Sequence, residues 1–157
     1  MAALNSTLYT KQSAGSTSLL SHGFAGNVKA VQAVIAVPNT GAGTALNDTL
    51  GLFVLPKGAT PHSFSVETDQ LDSNGSPTLT IDVGVAGSTQ SIVAAWAGAS
   101  TAVTAVSPNT VKAKTAWIGV QLTADTPIFA TVHAAAATKA AGNLVATCYY
   151  TVDGMAD

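Results

Sequence analysis

Apolar and polar residues alternate through most of residues 46–87, and this pattern limits the chain more than any other feature. Side chains at every second position lie on the same face of a β-strand, so each alternating run predicts one dry and one wet face. The apolar positions of the three runs are Leu50, Leu52 and Val54, then Phe64 and Val66, then Leu79, Ile81, Val83 and Val85. Turn-forming residues at 56–58 and 72–77 separate the runs. The pattern predicts a β-meander of three consecutively paired strands.

The same period of two continues outside this stretch. Residues 28–37, 118–122, 128–134 and 144–152 each predict a strand, and the first is apolar enough that we expect both of its faces to be covered. The alanine-rich residues 134–142 lie between two alternating runs and end at Gly142 and Asn143, so we expect a loop with no more than one helical turn.

One segment has a different spacing. Ile92, Ala95, Trp96 and Ala99 recur at helical intervals, which predicts one or two helical turns across the end of the sheet and then a weak strand near residues 102–106. Short strands, Gly, Pro and Asn turns and the lack of a long helical pattern together predict an all-β fold. We therefore expect an antiparallel β-sandwich with one short helical segment.

Residues 1–27 show no sustained period and are rich in Ser, Thr, Gly and Asn. They are compatible with a disordered terminus or with an extended arm that becomes ordered against a partner. The large apolar residues favour the arm, because plain disordered tails contain few of them. We therefore divide the chain into an arm over residues 1–27 and one sandwich domain over residues 28–157. The apolar residues of the arm are Leu4, Leu8, Tyr9, Leu19, Leu20 and Phe24.

Charged residues make up only 9% of the 157 residues, with six lysines, no arginine and a net charge of −2. Nucleic-acid binding and recruitment to an anionic membrane need clustered cations, and these lysines are scattered, so we expect neither partner. The sequence contains no apolar run of the roughly 18–20 residues that span a bilayer. A surface this poor in charge does little to oppose association, which favours an oligomer or a component of an assembly.

Histidines and the cysteine give no catalytic or metal-binding pattern. His22, His62 and His133 lie in different segments and lack a second ligand at metal-binding spacing. Cys148 lies in an alternating run and is most simply a small buried apolar residue. We expect no catalytic thiol, no bound metal and no cofactor.

The acidic residues allow two hypotheses that we rank below a plain structural one. Asp69, Asp72, Ser73 and Asn74 could supply some of the oxygens of a calcium site. Glu67 with Asp82 could form the carboxylate pair of a glycosidase. We prefer an Asx-type turn with solvated carboxylates, and we expect no enzymatic activity.

The aromatic residues divide between core and surface. We expect Trp96 to lie in the core, whereas Trp117 falls on the opposite parity from Ile118, Val120 and Leu122 and could face outward. We predict that Trp117, together with Phe129, contributes to an interface between subunits.

Four parts of the chain, taken in order, carry a resemblance to a known family. They are the Ser/Thr-rich arm, the run LGLFVLPKGATPHSFSVETDQLDSNGSPTLTIDVGVAG, the segment SIVAAWAGAS and the closing strand NLVATCYYTVD. This order resembles the head decoration, or cement, proteins of tailed bacteriophages, over most of residues 25–152. In that family the long run pairs two central strands, and a strand containing tyrosine closes a jelly-roll-like sandwich. The family usually has an acidic residue soon after the long run, where this chain has residues 87–90, GSTQ.

The resemblance implies a structural protein and not an enzyme. It implies a homotrimer, made in the host cytoplasm, that sits on the outer capsid surface of the virion, binds the major capsid protein and stabilises the shell against internal DNA pressure. The six apolar arm residues would then contact the capsid. A carbohydrate-binding or receptor-binding sandwich of a phage fibre is the alternative, and a hydrolytic enzyme ranks last.

Overall fold

The computed structural model describes residues 28–41, 43–100 and 109–152. The predicted arm over residues 1–27 and the predicted weak strand near residues 102–106 lie outside these ranges. The described strands are β1 (Lys29–Val37), β2 (Thr49–Leu55), β3 (Ala59–Thr68), β4 (Thr80–Val85), β5 (Ser88–Trp96), β6 (Asn109–Lys112), β7 (Thr126–Ala134) and β8 (Gly142–Val152). No helix within the described ranges is long and apolar enough to cross a membrane.

The strands form two antiparallel sheets of four strands each in the described part of the chain. The first sheet has the order β1-β8-β3-β6 and the second has the order β2-β7-β4-β5. In chain order, the first strand pairs with the last, the second with the second-last, and so on: β1 with β8, β2 with β7, β3 with β6 and β4 with β5. The chain is therefore one long hairpin whose successive pairs alternate between the sheets, which is the jelly-roll arrangement. The predicted antiparallel β-sandwich is confirmed.

The meander predicted for residues 46–87 is wrong in its pairing, although its strands exist. β2 and β4 lie in the second sheet with β7 between them, whereas β3 lies in the first sheet. Residues 72–77 thus connect the two sheets and do not close a hairpin. Alternation within a strand determines which face is buried, but it carries no information about which strand lies alongside.

The predicted helical segment is largely strand. Ile92, Ala95 and Trp96 belong to β5, and only a single 3-10 turn at Gly98–Ser100 is helical. β5 is bulged against β4, because Val85 pairs with Ser88 while Val83 pairs with Val93. The extra residues in β5 break the period of two and produce the helical spacing in the sequence.

The strand predicted at residues 118–122 is also wrong. The backbone there makes successive turns, in which the N–H of Trp117 donates to the carbonyl of Lys114 and that of Ile118 donates to Thr115. Gly119 has a φ of 81°, in the left-handed region, which interrupts an extended backbone. The alternation at residues 118–122 is therefore accidental.

The side chains of the core come from the inward faces of both sheets. In β1, however, only one face is covered, because Ala30, Gln32, Val34 and Ala36 are exposed, so the prediction of two covered faces is wrong. In β2 a bulge between Gly51 and Phe53 shifts the parity. The largest fully buried apolar side chains are Phe64, Leu55, Leu71, Leu79, Ile81, Ile92, Ile128 and Leu144.

Candidate functional site

The best-connected polar group of the described chain is the buried carboxylate of Asp72, which joins two loops at one end of the sandwich. Its Oδ2 atom accepts hydrogen bonds from the backbone N–H groups of Thr78, Leu79 and Ala137 at 2.9, 3.2 and 2.9 Å. Its Oδ1 atom accepts from the N–H groups of Asn74 and Thr138 at 3.2 and 2.9 Å. The carboxylate therefore holds residues 72–79 against residues 137–138, which are more than 60 positions away in sequence.

These hydrogen bonds determine the charge state of Asp72. Burial alone would raise the pKa of the carboxyl group, but the backbone N–H donors, foremost those of Thr138 and Ala137, outweigh burial and lower the pKa from 3.8 to about 2. The predicted Asx-type turn is confirmed by the bond from the Asn74 N–H group, whereas the prediction that these carboxylates are solvated is wrong for Asp72.

The calcium hypothesis is disfavoured by the same geometry. A cation needs oxygen atoms that converge on one point, and both oxygens of Asp72 face N–H donors instead. Among the residues that the structure describes, no three His, Cys, Asp or Glu side chains are grouped so that they could hold a metal ion.

A second polar cluster lies on the outer face of the second sheet. The buried carboxylate of Asp82 accepts a hydrogen bond from the Ala95 N–H group at 2.6 Å and one from Gln90 Nε2 at 3.1 Å. Nδ1 of His133 lies 3.1 Å from Asp82 Oδ2, and the His133 side chain is half exposed. Ala95 has a φ of 45°, which is strained for a residue with a side chain. The cluster therefore holds the bulged strand β5 on β4.

The glycosidase hypothesis is wrong. Glu67 is exposed on β3 of the first sheet, and Asp82 lies on β4 of the second sheet. Asp82 bonds with side chains on the outer face of its own sheet, so the two carboxylates lie on opposite sides of a sandwich whose sheets are about 10 Å apart. They do not flank a common substrate site.

Phe129 lies at a shallow depression of about 290 Å³ on the outer face of the second sheet. Its neighbours on the adjacent strands are Gly51 and Gly84, so neither neighbour has a side chain that could cover the ring. A Cβ atom on Gly84 would lie 2.1 Å from the carbonyl oxygen of Ser88, which shows how closely β5 crosses β4 there. The lining residues are uncharged, namely Thr49, Gly84, Val85, Ala86, Gly87, Thr89, Phe129 and Thr131. This surface suits an apolar side chain or the face of a sugar ring.

The other sequence-predicted residues are not brought to one site. Trp117 is half-buried and packs edge-on against Phe64, with ring centroids 5.7 Å apart, and Trp96 is half-buried against the core. The strand parity that favoured an outward Trp117 does not apply, because residues 115–119 form turns and the Trp117 ring packs against the core. The interface role of Trp117 and Phe129 stays a prediction. His62 is exposed on β3, where Nε2 lies 2.9 Å from Thr151 Oγ1. The six apolar arm residues lie outside the described ranges.

Cys148 should be unreactive in the folded protein. The thiol is fully buried, and burial raises its pKa to about 12, so almost none of the nucleophilic thiolate is present at neutral pH. We expect no labelling of native protein by a maleimide at about pH 8, and complete labelling in urea. Rapid labelling of the native protein would show that the strand is not packed as described.

Neither a protein-family model nor a curated protein matches this chain. Several solved structures, however, do match this chain. A chain of the cyanophage Pam1 capsid asymmetric unit is 28% identical with a TM-score of 0.69, and the match covers 98% of this chain and 95% of that chain. A chain of the capsid of Ralstonia phage GP4 is 26% identical with a TM-score of 0.66, covering 83% and 87%. A chain of the acidic stable capsid of Helicobacter pylori bacteriophage KHP30 is 16% identical with a TM-score of 0.54, covering 77% and 86%, and shows a likeness of fold alone.

The jelly-roll topology and the low charge thus occur in a chain that is similar, over nearly its whole length, to a component of a phage capsid. The similarity to phage head proteins that was inferred from the sequence is confirmed. Capsid-protein neighbours also support a structural role over an enzymatic one. The fold and the comparisons with the Pam1 and GP4 capsid chains together support a structural protein of the bacteriophage virion.

Proposed function

We propose that this chain is a decoration, or cement, protein that binds the outside of the major capsid shell and stabilises it. The observation that carries the proposal is the match to a capsid component of almost the same extent, with 98% of this chain and 95% of that chain covered. The described domain is a single sandwich, which fits a protein added to a shell.

The charge of the chain supports the outer surface as its location. The inner surface of a filled shell faces DNA, where clustered basic residues would be favoured. This chain has six lysines, no arginine and a net charge of −2, so it gains nothing from facing the nucleic acid. A neutral surface rich in hydroxyl groups is compatible with an outer position.

The proposal includes the contacts that the sequence predicted. The arm over residues 1–27 fastens the protein to the major capsid protein through its six large apolar residues. Copies associate as a homotrimer, as the resemblance to decoration proteins implies, and the low charge offers little electrostatic resistance to that association. Phe129, beside its uncharged depression, and Trp117 are the candidates for the subunit interface.

Binding to capsids that lack the protein tests this function. We expect purified protein to co-sediment with such capsids until the sites are saturated, to add density on the outer surface in electron micrographs, and to raise the temperature at which the shell breaks. Capsids that already carry the protein serve as the control and should take up none. Absence of binding, or new density inside the shell, would contradict the proposal.

A receptor-binding or carbohydrate-binding module of a phage fibre is the second candidate, and the Phe129 depression is the observation that favours it. An aromatic ring with Thr49, Thr89 and Thr131 around it could stack on a sugar and bond its hydroxyl groups. Glycan binding that is abolished by Phe129→Ala, in a protein that does not bind capsids, would favour this function over decoration.

A further inference from the structure

The first sheet ends in a strand that carries none of the usual protection against pairing with another chain. We propose that β1 of one copy pairs in antiparallel fashion with β1 of a second copy about a two-fold axis, which joins two first sheets into one continuous sheet. The inference rests on the proposed function in one respect, since on the shell this contact would link neighbouring decoration trimers. The pairing itself concerns only this chain.

A comparison of the described edge strands singles out β1. Natural edge strands avoid unwanted pairing by being short, by bulging or by carrying charge or proline. β6 spans four residues and ends in Lys112. β2 and β5 are bulged, with register shifts against β7 and β4 respectively.

β1 has none of these protections along its length. It spans nine residues, pairs with β8 without a register shift, contains no proline, and has its only charge at Lys29, the first residue. Among the described strands it is hydrogen-bonded to β8 alone, so the N–H and C=O groups that point away from β8 have no strand partner in the described part of the chain.

The outer face beside this edge is uncharged and partly apolar. β1 presents Ala30, Gln32, Val34 and Ala36, and the neighbouring strand β8 places Val145 beside Val34 and Tyr149 beside Ala30. Val34 is 62% exposed and Tyr149 is 47% exposed. The charges of this sheet face lie further from the edge, at Glu67 on β3 and Lys112 on β6. A partner at the β1 edge would therefore desolvate no charged side chain in the middle of the contact.

The sequence of β1 fits a second copy of itself. An antiparallel pair centred on Ala33 places Gln32 opposite Val34 of the second copy, Val31 opposite Ile35, and Ala30 opposite Ala36. Lys29 then faces Val37, so the two lysines lie at opposite ends of the nine-residue contact and do not repel each other. A second copy is therefore the occupant we infer, in preference to a strand of the capsid protein or the arm of the same chain.

Disulfide trapping of the free protein tests the pairing without any capsid. Residues that face each other across an antiparallel pair have Cβ atoms about 4.5–5.5 Å apart, close to the spacing that a disulfide needs. We expect the double variant Gln32→Cys with Val34→Cys to give a covalent dimer on a non-reducing gel under mild oxidation. Each single variant places its cysteine opposite a residue that is not cysteine, so both single variants should give at least about ten-fold less dimer. The native Cys148 is buried and does not compete.

A second pair of variants distinguishes this specific contact from nonspecific association of the protein. Val34→Lys puts a charge on the unprotected edge, whereas Val54→Lys puts the same charge on β2 at a valine that is 59% exposed. We expect Val34→Lys alone to weaken self-association, by about ten-fold or more in sedimentation, with the thermal unfolding of both variants unchanged.

The proposal would be overturned by equal cross-linking of the single and double cysteine variants, or by equal effects of Val34→Lys and Val54→Lys on self-association. Strong cross-linking only after removal of residues 1–27 would show that the arm covers the edge, which also overturns it. Failure of capsid binding alone would leave the pairing standing, because these measurements use free protein.

Discussion

Replacing Asp72 by asparagine is expected to lower the free energy of unfolding by about 3 kcal/mol. Oδ2 of the carboxylate accepts from three backbone N–H groups and Oδ1 accepts from two. An asparagine side chain has one oxygen and one NH₂ group, so in either orientation its NH₂ group faces at least two N–H donors. Each buried donor that loses its acceptor costs about 1–3 kcal/mol, and the remaining bonds lose the assistance of the charge.

Urea unfolding at neutral pH measures this loss. Glu67→Gln is the matched control, because it removes a carboxylate charge from an exposed position on β3. We expect the control to change the free energy of unfolding by less than about 0.5 kcal/mol. If Asp72→Asn and Glu67→Gln were equally mild, the carboxylate would not hold the two loops together.

The pH dependence gives an independent readout of the same group. The folded-state pKa of Asp72 is about 2, below the ordinary value of 3.8. Its stabilising contribution is therefore fully present above about pH 4 and is lost as the pH falls towards 2, because the unfolded chain takes up the proton first. This contribution is about 2 kcal/mol. Asp72→Asn should remove that part of the acid dependence, so the two stability curves should converge as the pH falls.

The role of Asp72 could not be predicted from its surroundings in sequence. A segment of Asp, Ser, Asn, Gly and Pro has the composition of an exposed turn, and the local bond to Asn74 is of the expected kind. Two of its N–H donors belong to residues 137–138, which the jelly roll brings against this turn from a distant part of the chain. The long-range partner, and with it the depressed pKa, follows from the topology.

The sequence pattern predicts the strands correctly where they are regular, and the prediction fails where a strand is bulged. Phe64 and Val66 in β3, and Leu144, Ala146 and Cys148 in β8, are buried at every second position, as their alternation predicts. In β5 the bulge interrupts the alternation of apolar and polar residues, and the remaining spacing wrongly predicts a helix. The pairing of the strands could not be predicted from the local sequence pattern, because the strands of a meander and those of a jelly roll show the same alternation of apolar and polar residues.

The Asp82 cluster has a partial signal in the sequence, in the form of an acidic residue and a histidine at outward positions of two strands. Asp82 occupies an outward position in β4 between the buried residues Ile81 and Val83, and His133 occupies an outward position in β7. A charged residue in such a strand needs a partner if it is buried, but the sequence does not say that β7 lies beside β4. Once the sheet order is known, the register places Asp82 opposite Thr131, two residues from His133 on the same face.

Removing residues 1–24 is expected to weaken binding to undecorated capsids by at least about ten-fold, equivalent to about 1.4 kcal/mol, because the arm then no longer fastens the protein to the shell. Burial of each of its six large apolar side chains would contribute roughly 1.5–3 kcal/mol. Ordering the backbone costs about 1–2 kcal/mol per residue, so those anchors need additional hydrogen bonds to a partner's backbone. The sandwich begins after the deleted residues, and we expect circular dichroism and the melting temperature to be unchanged.

Point variants distinguish anchoring from mere length. Full-length protein with Leu19, Leu20 and Phe24 replaced by serine should lose a large part of the affinity that the deletion removes, because three of the six apolar anchors are gone while the arm keeps its length. Full-length protein with Ser16, Thr17 and Ser18 replaced by alanine is the control, and it should bind like the unmodified protein. Co-sedimentation over a range of protein concentrations gives each affinity. If the truncated protein decorates capsids as tightly as the full chain, the arm is an idle tail and the capsid contact must be made by the sandwich.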